Sequence, residues 1–539
     1  MEKLSFRNVR NGIVATENPL CSDIGVDILK KKGSSVDAVI AAALCIGVTN
    51  SYSSGLGGGG FMVIRDASGA STFIDFREEA PSRAHAHMYD KDPLRAQFGG
   101  LAVGVPGEVR GFEEAHKRYG KLPWKRLFEP SIKLSRDGWA VEETLEQRVA
   151  YARNLVLNNT AFREVFAPNG NLVRKGDVVK RPNLAKSLEA IGKEGPDVFY
   201  EGWIAENLVA TTKANGGILA MEDMKRYRAK VEPALIGRYR GRKVITTPLP
   251  TSGPVLLSIL NIMEGFPLPS EGRNALNWHR LMEAYKFAYA QRTFYGDPVD
   301  PVYRNISEIA RKFMRKQMAD EDRARLDDDI THPIEYYHPQ FAGREDHGTA
   351  HISVLGPDGM AVSLTTTVNL LFGAQVMDRA TGIILNDEMD DFSIPNVTNA
   401  FGLPPSPYNY IHPHKRPLSS CIPTIVEKDG EVELIVGASG GSRIITSVAQ
   451  AMFDVLDYDM DVWQAVGDKR AHHQLFPNLV ALEDGFREEW AEGLEKRNHT
   501  IWRLPKNFPS SGVEAIQRLP DGTLKGASDF RKGGQAAGF

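Results

Sequence analysis

At 539 residues, 42% hydrophobic and 25% charged, the chain has the length of roughly two to four ordinary domains and enough apolar side chains to bury a large core, which excludes a disordered protein. Its 65 basic and 68 acidic residues leave a net charge of −3, so no chain-wide field favours nucleic acid or an anionic membrane surface, and the expected partner is a small molecule.

The first twenty residues, MEKLSFRNVRNGIVATENPL, hold no apolar block of the signal-peptide kind, so the chain is expected either to stay inside the cell or to begin after a removed leader. The longest apolar run, residues 38–48 (AVIAAALCIGV), is eleven residues. That is short of the ~18 needed for a membrane span and reads as a buried helix. Cys21 and Cys45 each fall in a helix-like segment, and the two helices could fold back across Gly33-Ser34-Ser35; spacing alone favours two buried thiols over a bond. With Cys421 there are three cysteines, no CxxC and no His/Cys cluster at zinc spacing, so no metal is expected.

Residues 61–65 and 71–76 read as two strands around the 66–70 turn. From 106 to about 215 and again from 253 to about 318 the apolar residues fall at helical spacing. Residues 320–348 hold twelve Asp, Glu, Arg or Lys and three histidines in 29 positions, the composition of a solvated linker. After it strands dominate: 350–355 and 361–368 flank Gly-Pro-Asp-Gly, 424–427 and 431–436 flank Lys-Asp-Gly, and another turn lies at Asp521-Gly522. No flexible tether separates the helix-rich front from the strand-rich back, which predicts one composite core.

The motifs of common chemistries are absent or misplaced. GLGGGG at 55–60 satisfies G-x-G-x-x-G, but a helix precedes it and a strand follows, the reverse of a dinucleotide site. There is no GxxxxGK[ST], HExxH or GxSxG. What remains is Thr349, opening a strand-like run with Thr365, Thr366 and Thr367 beyond the turn, and polar clusters around it: Arg77, Asn369, Glu388 with Asp391, Ser419 with Ser420, and Gly440 with Gly441. Taken singly, an acidic pair is usually surface, a double serine a turn and a double glycine a tight bend. Together they suggest a site.

The segments GLGGGGFMVI, DFREEAP, GVPGEVRGFEEAHKRYGKLPW, EAYKFAYAQRTFYGDP, GTAHISV, GIILNDEMDDFS, KRPLSSCIPT, GASGGSRIIT and ASDFRKGG carry a resemblance to the gamma-glutamyltransferases, or glutathione hydrolases, among the N-terminal nucleophile hydrolases. Their order and spacing follow that family over nearly the whole chain, and GTAHISV and FGLPPSPYNYI look more like eukaryotic members. The resemblance implies an α+β fold, a four-layer αββα sandwich assembled from two autoproteolytic pieces, 1–348 and 349–539. It implies scission at Gly348-Thr349, after which Thr349 is nucleophile and its freed α-amine the base, a group that titrates at about 7.7 to 8.0 in an unstructured peptide. Gly348, lacking a Cβ, allows the bend toward the following hydroxyl.

By the same resemblance Thr367 steadies the Thr349 hydroxyl, Gly440 and Gly441 line an oxyanion hole, Arg77, Ser419 and Ser420 take an α-carboxylate, and Asn369, Glu388 and Asp391 take an α-ammonium. For His351 a structural role is expected. Residues 394–415 look like a lid, with Tyr408 or Tyr410 as gates. Cys21 and Cys45 align with a disulfide, and Cys421 stands where many relatives carry methionine. No cofactor is implied. The expected partners are gamma-glutamyl substrates such as glutathione and its conjugates, acceptor amino acids or dipeptides, and the two pieces as a heterodimer. A disulfide and N-x-S/T sequons at Asn158, Asn305, Asn396 and Asn498 point to the secretory pathway, the cell surface or a vacuole. The rival readings are an uncut scaffold protein and an acylase for dicarboxylic side chains; Thr349 speaks against the first, Glu388 and Asp391 against the second.

Overall fold

The structure, a computed structural model, describes residues 7–342, 348–396, 403–506, 508 and 511–539. Fourteen strands form two seven-stranded antiparallel sheets. In chain order they are β1 (Arg7–Val9), β2 (Ile13–Thr16), β3 (Gly59–Arg65), β4 (Ser71–Asp75), β5 (Lys230–Pro233), β6 (Leu235–Tyr239), β7 (Arg242–Thr246), β8 (Ala350–Leu355), β9 (Ala361–Thr367), β10 (Thr424–Lys428), β11 (Glu431–Ser439), β12 (Gly512–Arg518), β13 (Leu524–Ser528) and β14 (Gln535–Gly538). One sheet runs β14-β2-β8-β9-β3-β4-β5 and the other β1-β13-β12-β11-β10-β7-β6.

Strand alternation shows why the sheets stack. In β3, Phe61 and Val63 belong to one apolar core while Met62 and Ile64 belong to another. Both faces are therefore covered, as a period of two with apolar residues on either side requires. The outer face of the first sheet lies under α1 (Pro19–Lys30), α2 (Ser35–Thr49), α3 (Trp124–Asp137) and α4 (Pro182–Glu194). The second sheet is covered by α5 (Gly253–Glu264), α6 (Ala275–Arg292) and α9 (Arg443–Leu456). Between α6 and β8 come α7 (Ile306–Phe313) and α8 (Lys316–Arg325). The result is the expected α+β sandwich of helices, sheet, sheet and helices.

Helix α2 contains the 38–48 run and is buried almost throughout, which an all-round apolar helix demands. Ser34 and Asp37 form its capping box. Cys21 on α1 and Cys45 on α2 are joined as a disulfide with Cα atoms 5.4 Å apart, so the spacing argument for two free thiols is corrected. Free Cys421 is buried.

The solvated-linker expectation for 320–348 also needs correcting over its described part. Asp322, Ile334 and Tyr337 are buried. Composition counts charges but not their partners, and α6 supplies those partners. Arg280 donates to both oxygens of Asp328 at 2.8 and 2.7 Å and Gln291 donates to Asp322 at 2.8 Å, while Lys286 Nζ donates to Thr331 Oγ1 and the His332 carbonyl and Glu283 accepts from the Thr331 and Tyr337 hydroxyls. Residues 343–347 lie outside the described residues.

The sheets approach closely where His351 of β8 faces Gly437 of β11. A Cβ at 437 would lie 2.1 Å from the imidazole Cε1. The ring bonds Thr365 Oγ1 at 2.9 Å and Ser353 Oγ at 3.2 Å, and burial pushes its pKa down to about 3, so it serves as a neutral spacer between sheets. Gly437→Ala is expected to lower stability by about 1–3 kcal/mol through overpacking, read as a lower urea midpoint with unchanged m-value.

Candidate active site

Thr349 directly precedes β8 and is buried. The β8–β9 register pairs Ala350 with Thr366, and one further step sets Thr367 opposite Thr349. On the facing sheet β11 ends at Ser439, and Gly440 and Gly441 lead into α9 with φ of 120° and 66°. Those angles suit glycine, and a Cβ at 440 would also meet Ser511 Cα at 2.7 Å. Gly440 N–H donates to Thr349 Oγ1 at 3.0 Å. A backbone donor at the mouth of a helix, aimed at a hydroxyl, offers stabilisation to negative charge developing there.

Gly348 is pressed against the following turn. Its φ is 72°, and a Cβ would fall 1.7 Å from the Asn369 carbonyl oxygen. Asn369 is itself left-handed, with φ of 70°. Its N–H donates to Thr367 Oγ1 at 2.7 Å and its side-chain amide to the Asp387 carbonyl at 3.2 Å. Thr367 therefore braces the turn beneath Gly348, and among the described residues no hydrogen bond joins it to the Thr349 hydroxyl. Nor, among those residues, does Gly441 bond Thr349; the contact is Gly440's.

Arg77 follows β4 and is buried with Glu78, Asp387, Glu388 and Asp391. Its Nη1 pairs with Glu388 Oε1 at 2.6 Å, its Nη2 with Asp391, and Nη2 also reaches the Leu418 carbonyl at 3.3 Å. Arg77 Nε is buried with no acceptor among the described residues. Burial opposes the guanidinium charge, but Glu388 and Asp391 outweigh it and hold the group above its ordinary value. Burial pushes Glu78 and Glu388 each up to about 8 despite Arg77, and carries Asp387 well above the usual carboxylate range. The sequence reading keeps cation and carboxylates apart for opposite ends of a ligand; in the structure they pair with each other.

The two serines sit on a framework that sequence reasoning does not single out. Ser419 N–H donates to the Pro250 carbonyl at 2.8 Å, its carbonyl accepts from Ser252 Oγ at 2.7 Å, and its hydroxyl accepts from Cys421 N–H at 3.1 Å. Buried Arg292, the last residue of α6, donates to Ser252 Oγ at 3.1 Å and to Ser420 Oγ at 3.0 Å. Asn409 ties the Asp391 carbonyl, at 2.7 Å, to Leu418 N–H, at 3.0 Å. Arg292 lies inside the EAYKFAYAQRTFYGDP segment, so a signal exists, but only the fold shows that it points at the serines.

The lid expectation falls on 394–415, of which 397–402 lie outside the described residues. The rest is pinned. Tyr408 packs its ring 4.8 Å from Tyr303 and 5.8 Å from Phe341, and its carbonyl accepts from Lys415 Nζ at 2.8 Å. Tyr410 OH donates to the Pro405 carbonyl at 3.4 Å. These contacts make both tyrosines anchors of the segment.

One grouping among the described residues has metal-like proximity: His279, Glu283 and His499, with ligand atoms within 4.8 Å. Its donors are engaged internally. His279 Nδ1 lies 2.8 Å from His499 Nε2, His279 Nε2 donates to the Asp327 carbonyl at 2.7 Å, and Lys286 Nζ stands 3.6 Å from Glu283. That ammonium and the shared imidazole proton favour a hydrogen-bond network over a cation. No helix of the described residues is long and apolar enough to cross a membrane.

The family model described as Gamma-glutamyltranspeptidase matches residues 21–539. Glutathione hydrolase proenzyme 1 of Schizosaccharomyces pombe is 43% identical over 538 residues, covering 98% of this chain and 85% of its own length. Among solved structures, the cephalosporin acylase of Bacillus halodurans superposes with a TM-score of 0.89 at 25% identity, over 100% of this chain and 98% of that one. The Helicobacter pylori gamma-glutamyltranspeptidase gives 0.58 at 33% identity, covering 61% of this chain and 95% of that one.

The raised carboxyl groups set the sign of a stability change. Glu78 titrates near 4.5 when ordinary and near 8 in the fold, so between those values the folded state holds a proton that the unfolded chain has lost, and stability falls as pH rises. Glu78→Gln, which keeps shape and neutrality, is expected to match the wild type at pH 4 and to unfold several degrees higher than it at pH 8.5, measured by calorimetry.

Proposed function

The chain belongs to the gamma-glutamyltranspeptidase family, and from that premise we propose that it is a glutathione hydrolase and gamma-glutamyltransferase that matures by cutting itself at Gly348-Thr349. In the precursor, Thr349 Oγ adds to the Gly348 carbonyl, the amide nitrogen leaves as the Thr349 α-amine, and water opens the resulting ester to leave a Gly348 carboxylate. The observation that carries this reading is the 3.0 Å bond from Gly440 N–H to Thr349 Oγ1, beside a glycine that has no room for a side chain.

After scission the α-amine of Thr349 accepts the hydroxyl proton, and Oγ attacks the gamma-glutamyl carbonyl. Gly440 N–H, with Gly441 beside it, stabilises the tetrahedral oxyanion, an effect of about 10² to 10³ in rate for one such donor. The amine product departs with a proton, and water or an amino acid or dipeptide acceptor takes the acyl group from the Thr349 ester. The donor's α-carboxylate and α-ammonium enter as a neutral pair between Arg77 and Glu388 with Asp391, so the exchange leaves the buried charge balance unchanged. Arg77 Nε offers one unused donor, and Ser419, Ser420 and Asn369 complete the pocket. Losing one partner of such a buried pair costs about 2–5 kcal/mol.

The acylase resemblance supports a second reading through shared fold, but a substrate lacking the ammonium would leave Glu388 and Asp391 to repel its carboxylate. The pieces 1–348 and 349–539 stay together as one composite domain, because β8 and β9 pair with β2 and β3 across them, as β10 does with β7. The Cys21–Cys45 bond and the exposure of Asn158, Asn305, Asn396 and Asn498 fit assembly in the secretory pathway.

N-terminal sequencing of active protein should give Thr349 as a new terminus. Thr349→Ala should remain one chain with turnover down at least roughly 10³-fold, and Gly348→Ala should also stay uncut. Full turnover in Thr349→Ala sinks the proposal. Arg292→Ala is expected to raise the donor KM about tenfold with kcat little changed, since it removes a charged hydrogen bond that orients Ser420; a fall in kcat at constant KM argues against that role.

A further inference from the structure

The sandwich is open at one edge, where β5 ends the first sheet and β6 ends the second. A cavity of about 340 Å³ lies there, in the range of small-ligand sites. Its floor is apolar, formed by Leu235, Leu249, Pro254, Ala310 and Met314. Its charged wall comes from β5. The register pairs Lys230 with Asp75 and Glu232 with Phe73, and Phe73 packs in the core between the sheets, so both charged side chains stand on the inner face. Two residues apart on a strand face, they start from Cα atoms about 7 Å apart.

Lys230 is half-buried and Glu232 is exposed at the mouth. Among the described residues Lys230 has one ion-pair partner, Asp297 at 3.7 Å, and Glu232 has none. Asp297 is already engaged, accepting from Arg416 N–H at 2.9 Å and Val299 N–H at 3.1 Å, while Asp75 pairs with Arg416 at 2.7 Å. Arg311 of α7 adds a second cation to the lining. We propose that this cavity is a second ligand site, for a free α-amino acid with an apolar side chain. The α-carboxylate meets Lys230 and Arg311, the α-ammonium meets Glu232, and the side chain covers the floor. A zwitterion suits this spacing because its two charges bridge the gap that Lys230 and Glu232 leave between them.

The site is separate from the Thr349 centre. Four strand spacings of about 4.8 Å lie between β8 and β5, roughly 19 Å, too far for a molecule in the cavity to accept the acyl group. Its walls nonetheless hold the donor pocket. Asp75 Oδ1 accepts from Arg77 N–H at 2.9 Å, and the Pro250 carbonyl, next to Leu249, accepts from Ser419 N–H at 2.8 Å. Occupancy is thereby linked to donor affinity, and linkage makes the effect reciprocal.

The binding claim stands apart from the proposed activity and is tested without turnover, by titration calorimetry of L-leucine into the full-length protein. Saturable binding is expected, weakened at least tenfold in Lys230→Met and in Val299→Trp, which fills the mouth from a residue 62% exposed in the fold. The oxo acid of leucine and isopentylamine, each lacking one charge, should bind at least tenfold more weakly. No binding by the wild type, or equal binding by both variants, overturns the site. In a donor-hydrolysis assay, leucine should shift the donor KM in the wild type and not in Lys230→Met; an equal shift in both, as an acceptor effect alone would give, overturns the linkage.

Discussion

Thr349 and Gly440 flank strands of different sheets, and the chemistry proposed for them depends on those sheets meeting closely enough for a backbone N–H to reach a side-chain hydroxyl at 3.0 Å. Gly437 and His351 set that approach. The glycine leaves room for a neutral ring, and the ring's bonds to Thr365 and Ser353 fix its plane. A larger residue at 437 forces the sheets apart a few residues from Thr349, where, for the chemistry proposed, a misplacement of about 1 Å is costly. Packing at the centre of the sandwich is thus also the alignment of the site.

The same stacking explains how so much charge is buried. Arg77, Glu78, Asp387, Glu388 and Asp391 converge where β4 leaves the first sheet and the chain after β9 crosses over it. One cation faces several carboxyl groups, and desolvation keeps protons on some of them. Such a cluster contributes little to stability; in the role proposed for it, it would discriminate between a zwitterionic ligand end and one lacking the ammonium. Arg416, held by Asp75, Glu79 and the Arg228 carbonyl, carries this arrangement across to the open edge of the sandwich.

Much of the fold is legible in local patterns, and the exceptions are instructive. The β8–β9 hairpin announces itself through alternation and its Gly-Pro-Asp-Gly turn, and α2 through its apolar run. The segment 320–342 misleads because its charges have buried partners on α6 that no local window contains. Thr367 finds a different neighbour from the expected one for a related reason: pairing places it opposite Thr349, but the left-handed turn at Asn369 brings a backbone N–H to its hydroxyl first. Arg292 lies in one of the family's motif segments, yet its target is 128 residues away.

Local periodicity and ordered motifs were enough to place the β3–β4, β8–β9 and β10–β11 hairpins, the buried helix α2, the candidate nucleophile and the family, because none of these depends on knowing which distant residues meet; the short strands β1, β2, β5, β6, β7 and β14 carry no comparable local signal. Contacts are another matter, and they emerged from the folded chain alone: that Arg77 pairs with Glu388 and Asp391, that Gly440 rather than Gly441 reaches Thr349, and that β5 and β6 leave a charged cavity between them. Those contacts join residues tens to hundreds of positions apart. Their geometry is fixed by how two twisted sheets stack, a property of the whole chain that no single stretch encodes.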